Sequence, residues 1–245
     1  MPIAERLIRD FDTAIFDLNA TAERRSGHVS IAAVPSIASQ LLPHIIKSFS
    51  DRYPGLSVHV VDDNSQGVQR RLARNEVDLG LGSRNRTEAN LAYTPLIQDR
   101  IELLCHKDHP LGADDGPVEW SALEGYRLLD SGFSKMLPTT NIVEGPKFEF
   151  STTTTLYAMV KANIGITVLP TLAARKNDPH LIARSLVDPV VERDVYLITR
   201  REWTLSPAGQ AMVEELIDRL PKVLAELGLK NIKNSIQPAK FADLL

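Results

Sequence analysis

Ser36, Asn64, Ser65, Ser83, Ser131, Thr152 and Thr153 are small hydrogen-bonding residues, and each stands where a short apolar run gives way to a polar segment. Gly132 and Phe133 complete the turn after YRLLDS (126–131), and Ser151 adjoins the two threonines. Where such a junction opens a helix, the first backbone N–H groups are unpaired and the dipole end is positive. Two readings of these residues stay open. They are helix caps, for which Ser, Thr and Asn are the preferred types everywhere. Alternatively, several of them converge on one small anionic ligand such as a carboxylate. Arg100, at the head of RIELLCH, either supplies that carboxylate with a charge partner or is an ordinary surface arginine. Arg84 is the less favoured arginine, because it sits in the charged loop SRNRTE.

Other chemistry finds less support. Cys105, His106, Asp108 and His109 crowd together in CHKDHP, but neighbours on an extended strand point to opposite faces, and no second Cys/His pair stands at a structural-metal spacing. LGLGS (79–83) has neither the lysine of a phosphate-binding loop nor the G-x-G-x-x-G of a dinucleotide fold. No G-x-S-x-G elbow occurs, and Cys105, between leucine and histidine, reads as a small buried hydrophobe. No catalytic residues, no metal and no cofactor are expected.

The elements that position these residues alternate. HVSIAAV (28–34) is an apolar strand, and Pro35 to about Tyr53 reads as one helix burying Leu41, Leu42, Ile45, Ile46 and Phe49. LSVHVVDD (56–63) is a second strand, a helix with Val68 and Leu72 follows, and VDLGLGS (77–83) is a third strand. Strand–helix–strand–helix–strand implies a parallel sheet with right-handed crossovers, and ligands of such sheets bind outside the carboxyl ends of the strands. AYTPLIQD and RIELLCH read as two extended runs, and KDHPLGADDGPVEW (107–120) as a turn-rich passage into a second lobe. YRLLDS, KFEF (147–150), IGITVLP (164–170) and VYLITR (195–200) are further strands, and 151–163 a helix. The last helix spans 205–227, with Ser206 as cap and Pro207 at its first position. Residues 229–245 lack periodicity and read as a loose tail.

Ahead of the first strand, Ile3, Leu7, Phe11, Ile15, Leu18 and Ala22 recur at spacings of three and four, so residues 3–25 read as an amphipathic helix. It packs on its own domain, or Leu7, Phe11, Ile15 and Leu18 form a dimerisation seam with a second chain.

The 245 residues carry a formal charge of −3 with no basic stripe, which argues against DNA binding by this chain alone. One cysteine excludes an intrachain disulfide and fits a reducing compartment. The N-terminus, charged throughout, is not a secretory signal, and no apolar run spans a bilayer. A cytoplasmic protein without membrane association is expected.

The run GHVSIAAVPSIASQLLPHIIKSFSDRYPGLSVHVVDDNSQGVQRRLARNEVDLGLGS resembles the first regulatory lobe of LysR-type transcriptional regulators. HKDHPLG is similar to that family's inter-lobe passage, TLYAMVKANIGITVLP to its second-lobe helix and strand, LSPAGQAMVEELI to its closing helix, and 3–25 to its linker helix. The resemblance implies an α/β fold of two Rossmann-like lobes with an inter-lobe cleft, similar to type 2 periplasmic binding proteins and preceded by a long N-terminal helix. It divides the chain into a linker helix (1–26), lobe I (27–106 and 201–228), lobe II (107–200) and a tail (229–245). It also implies a small-molecule effector in the cleft and a homodimer or homotetramer. Ser36, Ser65 and Arg100 match effector-contact positions, and the 131–133 turn and Thr152 match more loosely. The winged helix-turn-helix of the family is not found, so promoter DNA is expected to be read only through a module missing from this chain, which is either part of a longer regulator or a sensor-only protein. Asn163 replaces a usual glycine, a change a left-handed helix end tolerates. The competing functions are a transporter's solute-binding protein and an enzyme of the same architecture.

Overall fold

The computed structural model describes residues 26–84, 88–130, 147–150, 152–174, 178–201, 203–227, 232–237, 239 and 241. Leu7, Phe11, Ile15 and Leu18 lie outside them, as do Ser131, Gly132, Phe133 and Ser151. The chain divides into two compact units, Met1–Leu96 with Tyr196–Leu229 and Asn234–Leu245, and Ile97–Val195 with Lys230–Lys233. Residues 97–106 and 196–200 thus group differently from the lobe boundaries drawn above, because the chain changes unit inside two strands rather than in the turn-rich passage.

In unit 1 the strands β1 (Gly27–Ala33), β2 (Leu56–Asp62) and β3 (Leu79–Gly82) are parallel, in the order β2-β1-β3. The C-terminal half of β10 (Glu192–Arg200) closes this sheet antiparallel to β3, with Tyr196 opposite Gly82 and Ile198 opposite Gly80. β1 is apolar throughout its second half because parallel strands are covered on both faces, and Ile31, Ala32 and Ala33 are fully buried. Between β1 and β2 the expected single helix is two, α1 (Pro35–Gln40) and α2 (Leu42–Arg52). Pro43 causes the break: it has no N–H to return to Ser39, and its ring crowds the preceding turn. Beyond it Leu42, Ile45 and Phe49 recur on the buried side.

Helix α3 (Ser65–Ala73) joins β2 to β3 and lies close on the sheet. A Cβ at Gly80 would come within 2.3 Å of Leu72 Cδ1 and 2.9 Å of Val68 Cγ1, so only glycine lets this helix approach. Strand β4 (Leu91–His106) is one continuous strand rather than two runs, since nothing in QDRIE turns the backbone.

Unit 2 is built around the second half of β4. It pairs antiparallel with β8 (Thr167–Pro170) and β9 (Leu181–Val187), and β9 pairs parallel with β5 (Val118–Glu119). Alternate β4 residues serve two cores: Ile101, Leu103 and Cys105 meet Trp120, Val168 and Leu186, while Leu104 meets Leu129, Leu156 and Val160. β6 (Leu128–Asp130) pairs with β7 (Lys147–Glu149). Helix α4 (Thr153–Lys161) ends on Asn163 at φ +56°, the left-handed position that asparagine takes with little penalty.

Helix α5 (Pro207–Glu226) starts as the sequence reads it, with Ser206 Oγ accepting from Gly209 N–H at 3.1 Å. Several described residues of the segment after it pack on the fold. β11 (Lys233–Asn234) pairs with β4, Ser235 N–H donates to Leu96 C=O at 2.8 Å, and Phe241 is fully buried.

His109 caps a short turn, Pro110–Gly112, by accepting from Leu111 N–H through Nδ1, and its ring meets Tyr126 edge-on at 4.7 Å. Burial pushes its pKa below the usual imidazole value. The unfolded chain therefore takes up this proton first as pH falls. Stability from this site is complete above the ordinary histidine pKa and declines below it. His109→Asn keeps a capping side chain without the titration. Urea midpoints at pH 7.5 and pH 5.5 should differ less in the variant than in the parent; equal differences in the two proteins would disprove the assignment.

Candidate functional site

The carboxyl ends of β1, β2 and β3 bring four of the expected residues into unit 1's sheet edge. Asn64 is the N-cap of α3, its side chain accepting from Gly67 N–H at 2.9 Å, so its amide oxygen is occupied locally. Ser65 is not a cap. Its Oγ, in a residue only 6% exposed, accepts from Ser83 N–H at 3.2 Å and ties the start of α3 to the end of β3. Gln69, one turn further along α3 and buried, donates from Nε2 to Ser83 C=O at 3.1 Å. The Ser83 main chain is thus held on both sides while its own Oγ is buried without a hydrogen-bond partner. A buried hydroxyl in that state carries a desolvation cost that a ligand or a rotamer change relieves.

A Cβ at Gly82 would lie on the Ser65 side of β3, in ordinary contact with Ser65 Oγ at 3.6 Å and in a tight one with Val34 Cγ1 at 3.2 Å. Val34 N–H donates to Leu81 C=O, seating the end of β1 against β3. Ser36 follows two residues later and is buried in the first turn of α1. The cap of that helix is Val34, not Ser36.

The remaining expected residues lie in unit 2. Thr152 caps α4, accepting from Thr155 N–H at 3.3 Å, and Thr153 is the first helical residue, half-buried. Arg100 is exposed, with its Nε 3.6 Å from Glu192 Oε1. Its backbone carbonyl accepts from both the N–H and the hydroxyl of Thr171.

Sequence reasoning passed over Gln69, whose signal was its i+4 spacing from Ser65 on one helix face. It also ranked Arg84 low. The Arg84 guanidinium lies 5.9 Å from the Tyr93 ring centroid and 5.8 Å from that of Tyr196, and the two rings meet edge-on at 6.0 Å. Nothing local announces that grouping, since β4, β10 and the segment after β3 supply it. Burial is the main cause that raises the Tyr93 pKa, so its hydroxyl stays protonated.

The CHKDHP cluster makes no ligand set. His106 Nδ1 accepts from Asp108 N–H, the His109 ring nitrogen caps its own turn, and no group of three metal-binding side chains occurs among the described residues. Burial pushes the Cys105 thiol up to about 11, which leaves it unreactive at neutral pH. No helix among the described residues is long and apolar enough to cross a membrane.

Comparison with known proteins identifies the family and the fold. The family described as the LysR substrate binding domain matches residues 22–221. The HTH-type transcriptional regulator YbhD of Escherichia coli K12 is 30% identical over 231 residues, covering 89% of this chain and 71% of the relative. Two solved structures share the fold. The effector binding domain of QuiR in complex with shikimate has a TM-score of 0.68 at 17% identity, covering 80% of this chain and 98% of that one. The BenM effector binding domain with benzoate has a TM-score of 0.65 at 20% identity, covering 86% and 96%. These neighbours carry the two-lobed α/β fold of effector-binding domains, and the family consists of transcriptional regulators, not enzymes. With both the family match and a close regulator relative in hand, the chain belongs to the LysR-type transcriptional regulators, and residues 22–221 are its substrate-binding, or effector-binding, domain.

Proposed function

We propose that this domain senses a small anionic effector at the carboxyl ends of β1–β3 and passes the signal on through a homo-oligomer. The observation that carries the reading is the Ser65–Ser83 junction: a buried serine that is not a cap, bonded at 3.2 Å to a second serine whose hydroxyl has no partner. The N-terminus of α3 adds a positive dipole end beside it. The shikimate and benzoate named for QuiR and BenM are carboxylates, which supports an anion here. Ser36, Asn64, Ser65 and Ser83 are the proposed contacts from unit 1. Arg100, the 131–133 turn, Thr152 and Thr153 are those from unit 2. Effector binding favours one of two arrangements of the assembled chains, a population shift that needs only a difference in affinity between them. The stripe Leu7, Phe11, Ile15 and Leu18 joins two copies, and DNA readout falls to a helix-turn-helix such as the relatives' names specify. The setting is cytoplasmic.

A thermal-shift panel of small acids, shikimate and benzoate included, tests the site. A ligand present at a hundred times its Kd stabilises the fold by about 2.7 kcal/mol, and Ser36→Ala/Ser65→Ala should remove most of that shift. A shift equal in parent and double variant would refute the site assignment. Light scattering on the same samples should give a multiple of the 27.1 kDa chain mass, lowered by Leu7→Asp; a mass that Leu7→Asp leaves unchanged would refute the seam.

A further inference from the structure

We propose that Arg84 is the anion anchor of the unit 1 site and that Tyr93 and Tyr196 restrict it to flat, unsaturated carboxylic acids; this rests on the effector-binding reading above. The placement follows from the sheet. A Cβ at Gly82 would face Ser65 at the start of α3, and Tyr196 is directly opposite Gly82 across the antiparallel pair. Cross-strand partners share a face, so Tyr196 stands on the side of the sheet that α3 covers. Arg84 is two residues beyond Gly82 and meets Tyr196 there, with Tyr93 completing an aromatic corner.

Arg84 is exposed and makes no ion pair among the described residues. Arg70 and Arg71 on α3 pair with Asp63. In unit 2, Arg100 has Glu192 beside it. Glu88 and Arg201 also act on the Tyr93 hydroxyl, and Arg84 is the arginine of this corner set against both rings. A cation–π contact engages the charge of a guanidinium and leaves its N–H fork available. Two ring centroids lie within 6 Å of the guanidinium, so a carboxylate gains a bidentate partner whose side chain already rests on those rings. A carboxylate seated on that fork must lay its carbon frame along the tyrosines. A planar π-system meets them edge-to-face or offset, which a saturated ring cannot do.

Isothermal titration of the full chain with benzoate, benzamide and cyclohexanecarboxylate separates charge from flatness. Benzoate should bind at least tenfold more tightly than its neutral isostere benzamide, and severalfold more tightly than cyclohexanecarboxylate. Arg84→Gln should cost benzoate about tenfold, while Arg84→Lys retains part of the affinity. Tyr196→Leu should erode the preference over cyclohexanecarboxylate and leave cyclohexanecarboxylate within about twofold. Benzoate that fails to bind the parent, that binds Arg84→Gln equally well, or that does no better than cyclohexanecarboxylate overturns the proposal. If another acid binds and responds to Ser65→Ala but not to Arg84→Gln, the anchor fails and the effector-binding reading stands.

Discussion

Arg193→Met should lower the stability of the folded chain by about 3–5 kcal/mol, the cost of leaving a buried carboxylate uncompensated. Asp99 has no exposed side-chain surface and Arg193 has 10%. The guanidinium grips both oxygens, Nε to Oδ1 at 2.8 Å and Nη2 to Oδ2 at 2.7 Å. The other donor to that carboxylate, Leu172 N–H, stands at 3.5 Å and cannot replace the guanidinium. The ion pair belongs to β4 and β10 close to where both strands pass from one unit to the other. In a chain of this size each kcal/mol is worth about 2–4 °C, so the midpoint should fall by roughly 6–20 °C. Asp99→Leu/Arg193→Met should recover most of the loss, because apolar replacement of a whole buried pair is often neutral or better. A single variant within about 1 kcal/mol of the parent by urea denaturation would show that water reaches the pair.

Phe241→Ala should cost about 3–5 kcal/mol, the usual range for deleting a buried aromatic ring. The residue lies near the end of the chain, where side chains are ordinarily loose, yet it has no exposed surface. Ile232 is 9% exposed, and Ser235 is bonded to Leu96. Ending the chain after residue 231 should therefore destabilise it by more than the point variant, since β11 and the Ser235 bond go as well. Lys233, with Nζ 3.1 Å from Gln98 Oε1 and 3.2 Å from Glu192 Oε1, is exposed and should matter little. Thermal midpoints of the three proteins decide the matter, and a shortened chain as stable as the parent would mean that the segment only rests on the surface.

Much of the fold was legible without coordinates because its signals are local. The order of β1, α2, β2, α3 and β3 follows from apolar periodicity, the start of α5 from Ser206–Pro207, and the end of α4 from the tolerance of Asn163 for positive φ. Local chemistry also located the hydroxyl-bearing junctions. It could not sort them: Asn64 and Thr152 turned out to cap their helices, and Ser65 did not. That choice depends on where the facing strand ends. Strand β9 was passed over because buried Arg184, bonded to the carbonyls of Gly116 and Leu111, interrupts its apolar alternation.

What the amino-acid order settled alone is therefore the kind of element at each place and the residue types at its ends, since propensity, capping and periodicity act within a few residues of each other. Tertiary structure alone decided which ends meet. It joined Asp99 to Arg193 across 94 positions, set Arg84 against two tyrosines from other strands, left the Ser83 hydroxyl without a partner and buried Phe241. Each of those depends on strand register and on side chains distant in sequence, whose distances no local pattern encodes.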